Sequence, residues 1–393
     1  MYYLDQFNKK NNYYSPNKVT IGVDVIYDIV YELKNLGSNK ILIVTDPGVV
    51  SVGIYEKLKS ILKEHGFDFD VYDNVEAEPS VRTLDDCLQI ARNGNYDLII
   101  GLGGGSALDV AKGTSALVNQ NGNFIDFVGM NTIENKSIPC IIVPTTAGTG
   151  SEVTRVIVMT DEKENTKKVI YSDFLIPDVV ILDPVLTVTM PPKVTADTGI
   201  DALVHSIEAY VSVNSTPYTD IFALKAIELI YENLPVAYSK GKNITSRFNM
   251  LLAANFAGYA FASGGLGAVH GLSYVLGTEY HLPHGRSNAI MLPHVMEYNL
   301  TGNLDRYINI SMAMGENLDA ITKHEAAYKA IESVNRLLQY VNISTNLKSY
   351  DIPESDLPKL VAGGLKQSRL FESNPKDLHE ENISNIYKKA FQG

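Results

Sequence analysis

The sequence predicts an α/β domain followed by an all-helical one, and three observations carry that reading. Short β-rich runs alternate with amphipathic stretches through the first half, glycine-rich segments follow directly on two of those runs, and from Val194 onward helical periodicity dominates. With 393 residues, 45% of them apolar, the chain is long enough to bury a large core and to form two or three domains.

The strand-like runs are KILIVTD (40–46), FDFDVYDNV (67–75), YDLIIGLGGG (96–105) and SIPCIIVPTT (137–146), separated by helical patterns such as TLDDCLQIARNG. That rhythm reads as βα units on a parallel sheet. The later segments TADTGIDALVHSIEAYVS, YTDIFALKAIELIYENL and HEAAYKAIESVNRLLQYV read as long helices. Between the halves, LDPVLTVTMPPK (182–193) reads as an extended linker with adjacent prolines before a helix start, which sets the domains at 1–184 and 185–393.

A formal net charge of −12 argues against general binding to nucleic acid or an anionic membrane. Cys87 and Cys140 are the only cysteines, so there is no disulfide framework and no Cys-rich zinc site, which suits a reducing cytosol. The opening MYYLDQFNKKNNYYSPNK has no apolar core of a signal peptide, and no uninterrupted apolar run reaches ~18 residues. A cytoplasmic protein is expected.

Glycines at a strand end that open a helix let the backbone approach a pyrophosphate at the helix N-terminus. GGGSALDVAKG follows its strand in that manner, with Ser106 read as the N-cap and Asp109 completing a capping-box variant. By itself this signal is weak, since Gly103 to Gly105 also suit a plain tight turn. A second loop, TTAGTGSEVT (145–154), interleaves glycines with the hydroxyls of Thr145, Thr146, Thr149 and Ser151. Two such loops on one sheet suit a dinucleotide. Asp46, ending KILIVTD, can accept from both ribose hydroxyls and repel a 2′-phosphate, or can simply start the turn DPG.

In the second half, Asp201 and His205 stand four apart in a helix and so share a face, while His270 and His284 can converge on them from other helices. Three imidazoles and a carboxylate favour Fe²⁺ or Zn²⁺ over Mg²⁺ or Ca²⁺. Taken singly, Asp201 with His205 reads equally as a helix-surface pair, and spacing alone excludes neither His281 nor His294 from the site.

The motifs GLGGGSALDVAKG, PTTAGTGSEVT, IPDVVILDP, TADTGIDALVHSIEAYVS, GLGAVHG and PHGRSNAIMLPHVMEYN, in this order over nearly the whole chain, resemble the iron-containing, metal-dependent alcohol dehydrogenases. The resemblance implies a dehydroquinate synthase-like architecture and a homodimer or higher homo-oligomer. It also implies one divalent metal, Fe²⁺ before Zn²⁺, on Asp201, His205, His270 and His284. NAD(H) contacts are implied for Asp46, Gly103, Gly104, Ser106, Asp109, Thr145, Thr146, Thr149, Ser151 and, in KKVIYSDFLIP, Lys167 rather than Lys168. Two positions depart from the family pattern: a histidine frequent one turn after the third ligand is Tyr274, and the usual asparagine before the first glycine loop is Glu78.

The implied chemistry is reversible oxidation of a small primary alcohol, with hydride passing to nicotinamide, in a cleft at the carboxyl ends of the strands. Tyr274, at the substrate side, is then a neutral donor or a pocket wall and not a proton carrier near pH 7. Arg155 and Arg286, which follow the second loop and the fourth ligand, would either face an anionic group on the substrate, such as a carboxylate, sulfonate or phosphonate, or serve as salt bridges. Two other readings share the motifs: a dehydroquinate synthase-like lyase that also uses NAD and a metal, and a catalytically silent dinucleotide-binding protein.

Overall fold

The four runs picked out by alternation become neighbouring strands of one sheet in a computed structural model that describes residues 10–164 and 166–392. In chain order the first part contains β1 (Lys18–Ile21), α1 (Ile29–Asn35), β2 (Lys40–Val44), α2 (Pro47–Ser51), α3 (Ile54–Glu64), β3 (Asp68–Tyr72), α4 (Val81–Gly94), β4 (Leu98–Gly103) and α5 (Gly105–Leu117). There follow β5 (Gly129–Met130), β6 (Cys140–Pro144), β7 (Val156–Asp161), β8 (Thr166–Tyr171) and β9 (Val179–Leu182).

Six strands pair in the order β1-β9-β6-β4-β2-β3, every pair parallel. Burial explains the order. β4 and β6, buried at every residue, are central, whereas β1 and β3, with exposed positions, form the edges. On one face Ile41, Ile43, Ile100, Leu102, Ile141 and Val143 pack against Ile29, Leu33, Leu58 and Leu62 of α1 and α3. From β2 the chain adds β3 on one side and β4 on the other, so a topological switch falls between β2 and β4.

A second, three-stranded sheet, β5-β8-β7, was not anticipated. Its antiparallel pair runs from Val156↔Tyr171 to Asp161↔Thr166. The alternating VIVMTD and TKKVIY carried that signal.

The described residues divide into two compact units, 14–189 and 190–392, the latter joined by residues 10–13. The stretch expected to be an extended linker is a buried turn. Pro184–Thr187 forms a 3₁₀ turn because the buried Asp183 carboxylate accepts from Val185 N, Asp24 N and Ile26 N, tying the segment to the start of the same unit.

The second unit is helical throughout its regular structure, as expected: α6 (Pro192–Val211), α7 (Pro217–Ser239), α8 (Ile244–Gly264), α9 (Ala268–Tyr280), α10 (His284–Asn299), α11 (Leu304–Ala313), α12 (Lys323–Tyr340), α13 (Leu357–Leu365) and α14 (Glu380–Ala390). Proline at the first position starts α6, and a Thr216 cap with Pro217 starts α7. Nearly every residue of α6 from Thr195 to Val211 is buried, so its polar side chains face protein. No helix among the described residues is long and apolar enough to cross a membrane.

Candidate metal and dinucleotide sites

In the α/β unit the sheet register brings the expected loops together. Gly103 of β4 pairs with Pro144 of β6, and Thr145 N donates to Gly103 O at 2.9 Å, so both glycine loops leave from adjacent strand ends. Asp46 leaves β2 on the other side of the switch. Built onto Gly105, a Cβ would lie 2.7 Å from Thr149 Cγ2, so glycine is what allows the loops to touch. Gly104, where a Cβ would lie 3.4 Å from Thr146 Oγ1, is within the same contact.

The capping expectation needs correction. Gly104, not Ser106, is the N-cap of α5, and no side chain caps it, because the helix begins one residue before Ser106. The first backbone N–H groups of α5 thus remain unclaimed by a side-chain cap, an arrangement that fits a phosphate. Asp109 does not act as a cap either. Its Oδ1 accepts from Ser151 Oγ at 2.5 Å and its Oδ2 from Val158 N at 3.0 Å, clamping the second loop. Lys112, fully buried, donates to Ser151 O and Val156 O, both at 2.8 Å, and completes that clamp.

Asp46 does cap the turn it begins: Oδ1 accepts from Val49 N at 3.0 Å. Its Oδ2 would stand 2.9 Å from a Cβ on Gly103, so the second oxygen faces the first glycine loop. Lys167 Nζ donates to Thr160 Oγ1 at 2.8 Å and pairs with Glu78 Oε2 at 2.9 Å, while Lys168 pairs instead with Glu164. Glu78, one of the two departures from the family pattern, thus meets the lysine expected to contact NAD(H). Glu78 holds a φ of 53°, a left-handed conformation rare for a side-chain-bearing residue.

In the helical unit Asp201, His205, His270 and His284 bring one ligand atom each to within 4.8 Å of the others. α6 supplies the first two one turn apart, α9 the third and the first residue of α10 the fourth. His281, in the left-handed C-cap of α9, and His294, whose Nε2 lies 3.1 Å from Thr345 O, stand outside the cluster. Gly285 permits the approach of α10: a Cβ there would fall 2.2 Å from Asp197 O on α6.

The donor chemistry fits a divalent cation. Ion–ligand bonds of ~2.0–2.2 Å place ligand atoms at most ~4.4 Å apart, so modest side-chain adjustment closes the shell. Burial lowers the His205 pKa to about 4, which leaves a neutral imidazole with a lone pair to offer. Burial also raises the Asp201 carboxyl, but the three histidines and the Asn288 amide outweigh it and hold the group below the ordinary aspartate value. For His270, burial lowers the pKa and Glu208 and Asp201 more than reverse that, leaving it raised.

The shell has a closed and an open side. Phe261 stacks on His205 at 4.5 Å, whereas the His284 side chain is 38% exposed. Tyr274, half-buried, lies beside that open histidine, ring centroids 6.1 Å apart.

Two residues of this network were missed from sequence. Asn288, one turn after His284, directs its amide to Asp201 Oδ1 at 2.7 Å, His270 Nε2 at 3.1 Å and His284 Nε2 at 3.2 Å, with its own oxygen accepting from Ser273 Oγ. Glu208 contacts His270 Nδ1. Helical spacing, His205 to Glu208 and His284 to Asn288, was the available signal. Both arginines are engaged within their own units: Arg155 with Asp173 and Asn131, and Arg286 with Asp197 at 2.5 Å.

Residues 16–184 match the sequence pattern of iron-containing alcohol dehydrogenase, and residues 195–391 match that of the C-terminal part of the Fe-containing alcohol dehydrogenase family. Long-chain-alcohol dehydrogenase 1 of Geobacillus thermodenitrificans is 42% identical over 95% of this chain and 95% of its own length. The 1,3-propanediol dehydrogenase of Citrobacter freundii is 39% identical over 97% of this chain and 98% of its own. Among solved structures, a 1,3-propanediol oxidoreductase superposes with a TM-score of 0.94 at 37% identity, over 98% of this chain and 100% of that one.

Proposed function

Because this chain belongs to the iron-containing alcohol dehydrogenase family, an NAD(H)- and metal-dependent group of oxidoreductases, we propose that Asp201, His205, His270 and His284 hold its catalytic cation. We further propose that the loops after β2, β4 and β6 hold its dinucleotide. The observation that carries the reading is the four-residue cluster, buried on three of its members and open at the fourth. When bound, the cation supplies a Lewis acid for an alcohol or carbonyl oxygen and the nicotinamide exchanges hydride with the adjacent carbon.

The chain's own residues supply position and exclusion. Phe261 and the packing of α6 keep water from the His205 side, leaving the His284 side for substrate. There the Tyr274 ring forms a wall and its phenol offers a hydrogen-bonding group. In the α/β unit, the uncapped α5 N-terminus and the hydroxyls of Thr145, Thr146 and Thr149 offer donors to a pyrophosphate. Asp46 Oδ2 is placed to accept from an adenosine ribose and favours NAD(H) over NADP(H).

The substrate class follows from what the site offers. Arg155 and Arg286 are already neutralised by Asp173 and Asp197, which favours a small neutral primary alcohol or aldehyde over one bearing a carboxylate, sulfonate or phosphonate. A homo-oligomer, dimer or larger, in the cytosol completes the reading, and the buried free thiols of Cys87 and Cys140 are compatible with such a compartment.

The test is turnover of NADH by the Fe²⁺- or Zn²⁺-loaded protein with short aldehydes, followed at the nicotinamide absorbance band. Reduction of propanal or butanal supports the reading. Turnover confined to a phosphorylated sugar acid favours a lyase, and turnover confined to succinic semialdehyde or sulfoacetaldehyde restores the anionic substrate. His270→Ala should lose both metal and activity, while His281→Ala keeps both.

A further inference from the structure

Glu208 stands three residues beyond His205 on α6 and is buried. Its carboxylate reaches across to α9 with both oxygens: Oε1 accepts from Val269 N at 2.6 Å, and Oε2 meets His270 Nδ1 at 2.5 Å. We propose that Glu208 is the positioning residue for His270, holding the imidazole in the tautomer that carries its proton on Nδ1 and so turning the Nε2 lone pair into the cluster. The inference rests on the metal-site reading above.

A neutral imidazole carries its proton on either nitrogen, and only the Nδ1–H form offers Nε2 to a cation. For His205 no group decides between the two, since its Nδ1 is the one buried side-chain nitrogen or oxygen without a hydrogen-bond partner among the described residues. At His270 the decision is built in. The same carboxylate also anchors the first turn of α9 through Val269 N, where the helix dipole favours a negative charge. Ring tautomer, ring orientation and helix position are therefore fixed from one side chain. Glu208 touches no reacting atom; it acts through His270.

Glu208→Gln separates the positioning role from the anchoring one. The amide matches the carboxylate in size and can still accept from Val269 N through its oxygen. Its nitrogen then donates to Nδ1, which drives the ring proton to Nε2, the wrong atom for a ligand. If the amide turns over, Val269 N faces a donor instead. Neither arrangement keeps both the Val269 anchor and the proton on Nδ1.

The full-length protein is stripped with chelator and titrated with Zn²⁺ alone against a competing chelator, and separately with Co²⁺ to record its visible ligand-field bands. The expected result for Glu208→Gln is a Zn²⁺ Kd raised by ~10–100-fold, altered Co²⁺ bands, and a metal-free Tm within ~4 °C of the parent. NADH affinity of the stripped protein should not change. Parental Zn²⁺ affinity in Glu208→Gln overturns the proposal, as does weakened affinity accompanied by a much larger fall in metal-free Tm, which would make Glu208 only a structural anchor. His270→Ala in parallel separates the two levels: if it also binds Zn²⁺ like the parent, the metal-site reading fails, whereas a weak His270→Ala beside a parental Glu208→Gln retires only the role of Glu208.

Discussion

Gly285→Ala sets two effects of opposite sign against each other at the start of α10. In a helix, alanine is favoured over glycine by up to ~1 kcal/mol, so propensity alone predicts a more stable protein. Geometry predicts the reverse. The added Cβ would lie 2.2 Å from Asp197 O, 2.7 Å from Asp197 C and 3.3 Å from Asp201 Cβ. Carbon–oxygen contacts ordinarily stand at ~3.3 Å or more, so about 1 Å must be recovered by moving backbone against backbone. No flexible side-chain end is available to yield.

Overpacking of this kind costs ~1–3 kcal/mol, and less the full propensity gain the net destabilisation is ~0–2 kcal/mol. The consequence for the cluster is sharper, because His284 directly precedes Gly285 and Asp201 is one of the residues struck. Metal shells tolerate ligand displacements of about ±0.2 Å, so a shift near 1 Å should remove His284 and weaken Zn²⁺ binding by ~10-fold or more. Calorimetry of the stripped protein and chelator competition measure the two effects. A Gly285→Ala protein that is at least as stable as the parent and binds Zn²⁺ equally would refute the reasoning.

Three further outcomes are expected. Asp46→Gly should leave Tm nearly unchanged, since glycine is itself an acceptable N-cap, while the ratio of kcat/KM for NADPH to that for NADH rises by ~10-fold as the fixed carboxylate disappears; an unchanged ratio removes Asp46 from cofactor choice. Tyr274→Phe should keep most of kcat and shift KM or substrate preference, and a fall in kcat of ~100-fold with loss of the basic limb of the pH profile would make the phenol an acid–base group. Burial holds the His294 pKa below the ordinary histidine value, so the unfolded chain takes up a proton near pH ~6.5 that the folded protein does not. Stability from this residue is therefore present above that pH and lost as pH falls below it; His294→Gln should flatten the acid limb of Tm against pH, and an identical slope would show the ring contributes nothing.

What the sequence disclosed and what it hid divide along physical lines. Strands β2, β4 and β6 were legible because a strand buried on both faces is an unbroken apolar run, and Asp201 with His205 were legible as a pair because a four-residue helical step fixes a shared face, whereas the choice of His270 and His284 over His281 and His294 came from the family resemblance. The helix start at Gly104 was not, since Ser106 has the composition of a cap and only backbone geometry shows that the helix begins before it. Asp109 likewise looked like a ligand contact by motif, but its oxygens are directed at Ser151 and Val158 across more than forty residues of chain. Glu208 and Asn288 were not singled out by the sequence at all. Their importance depends on which neighbour each helix turns toward, and α6, buried almost throughout, has no polar face to advertise it.

The cluster draws on three separate helices, and 83 positions separate Asp201 from His284 along the chain. A cation held there is in effect a removable cross-link: it closes a long loop in the helical unit, and like any species that binds only the folded form it adds stability in proportion to the logarithm of its free concentration. Metal scarcity would then act on the lifetime of the chain as well as on its turnover. The segment from α6 to the start of α10 would open more often and be cut sooner by proteases, so that the abundance of this protein reports the metal supply around it.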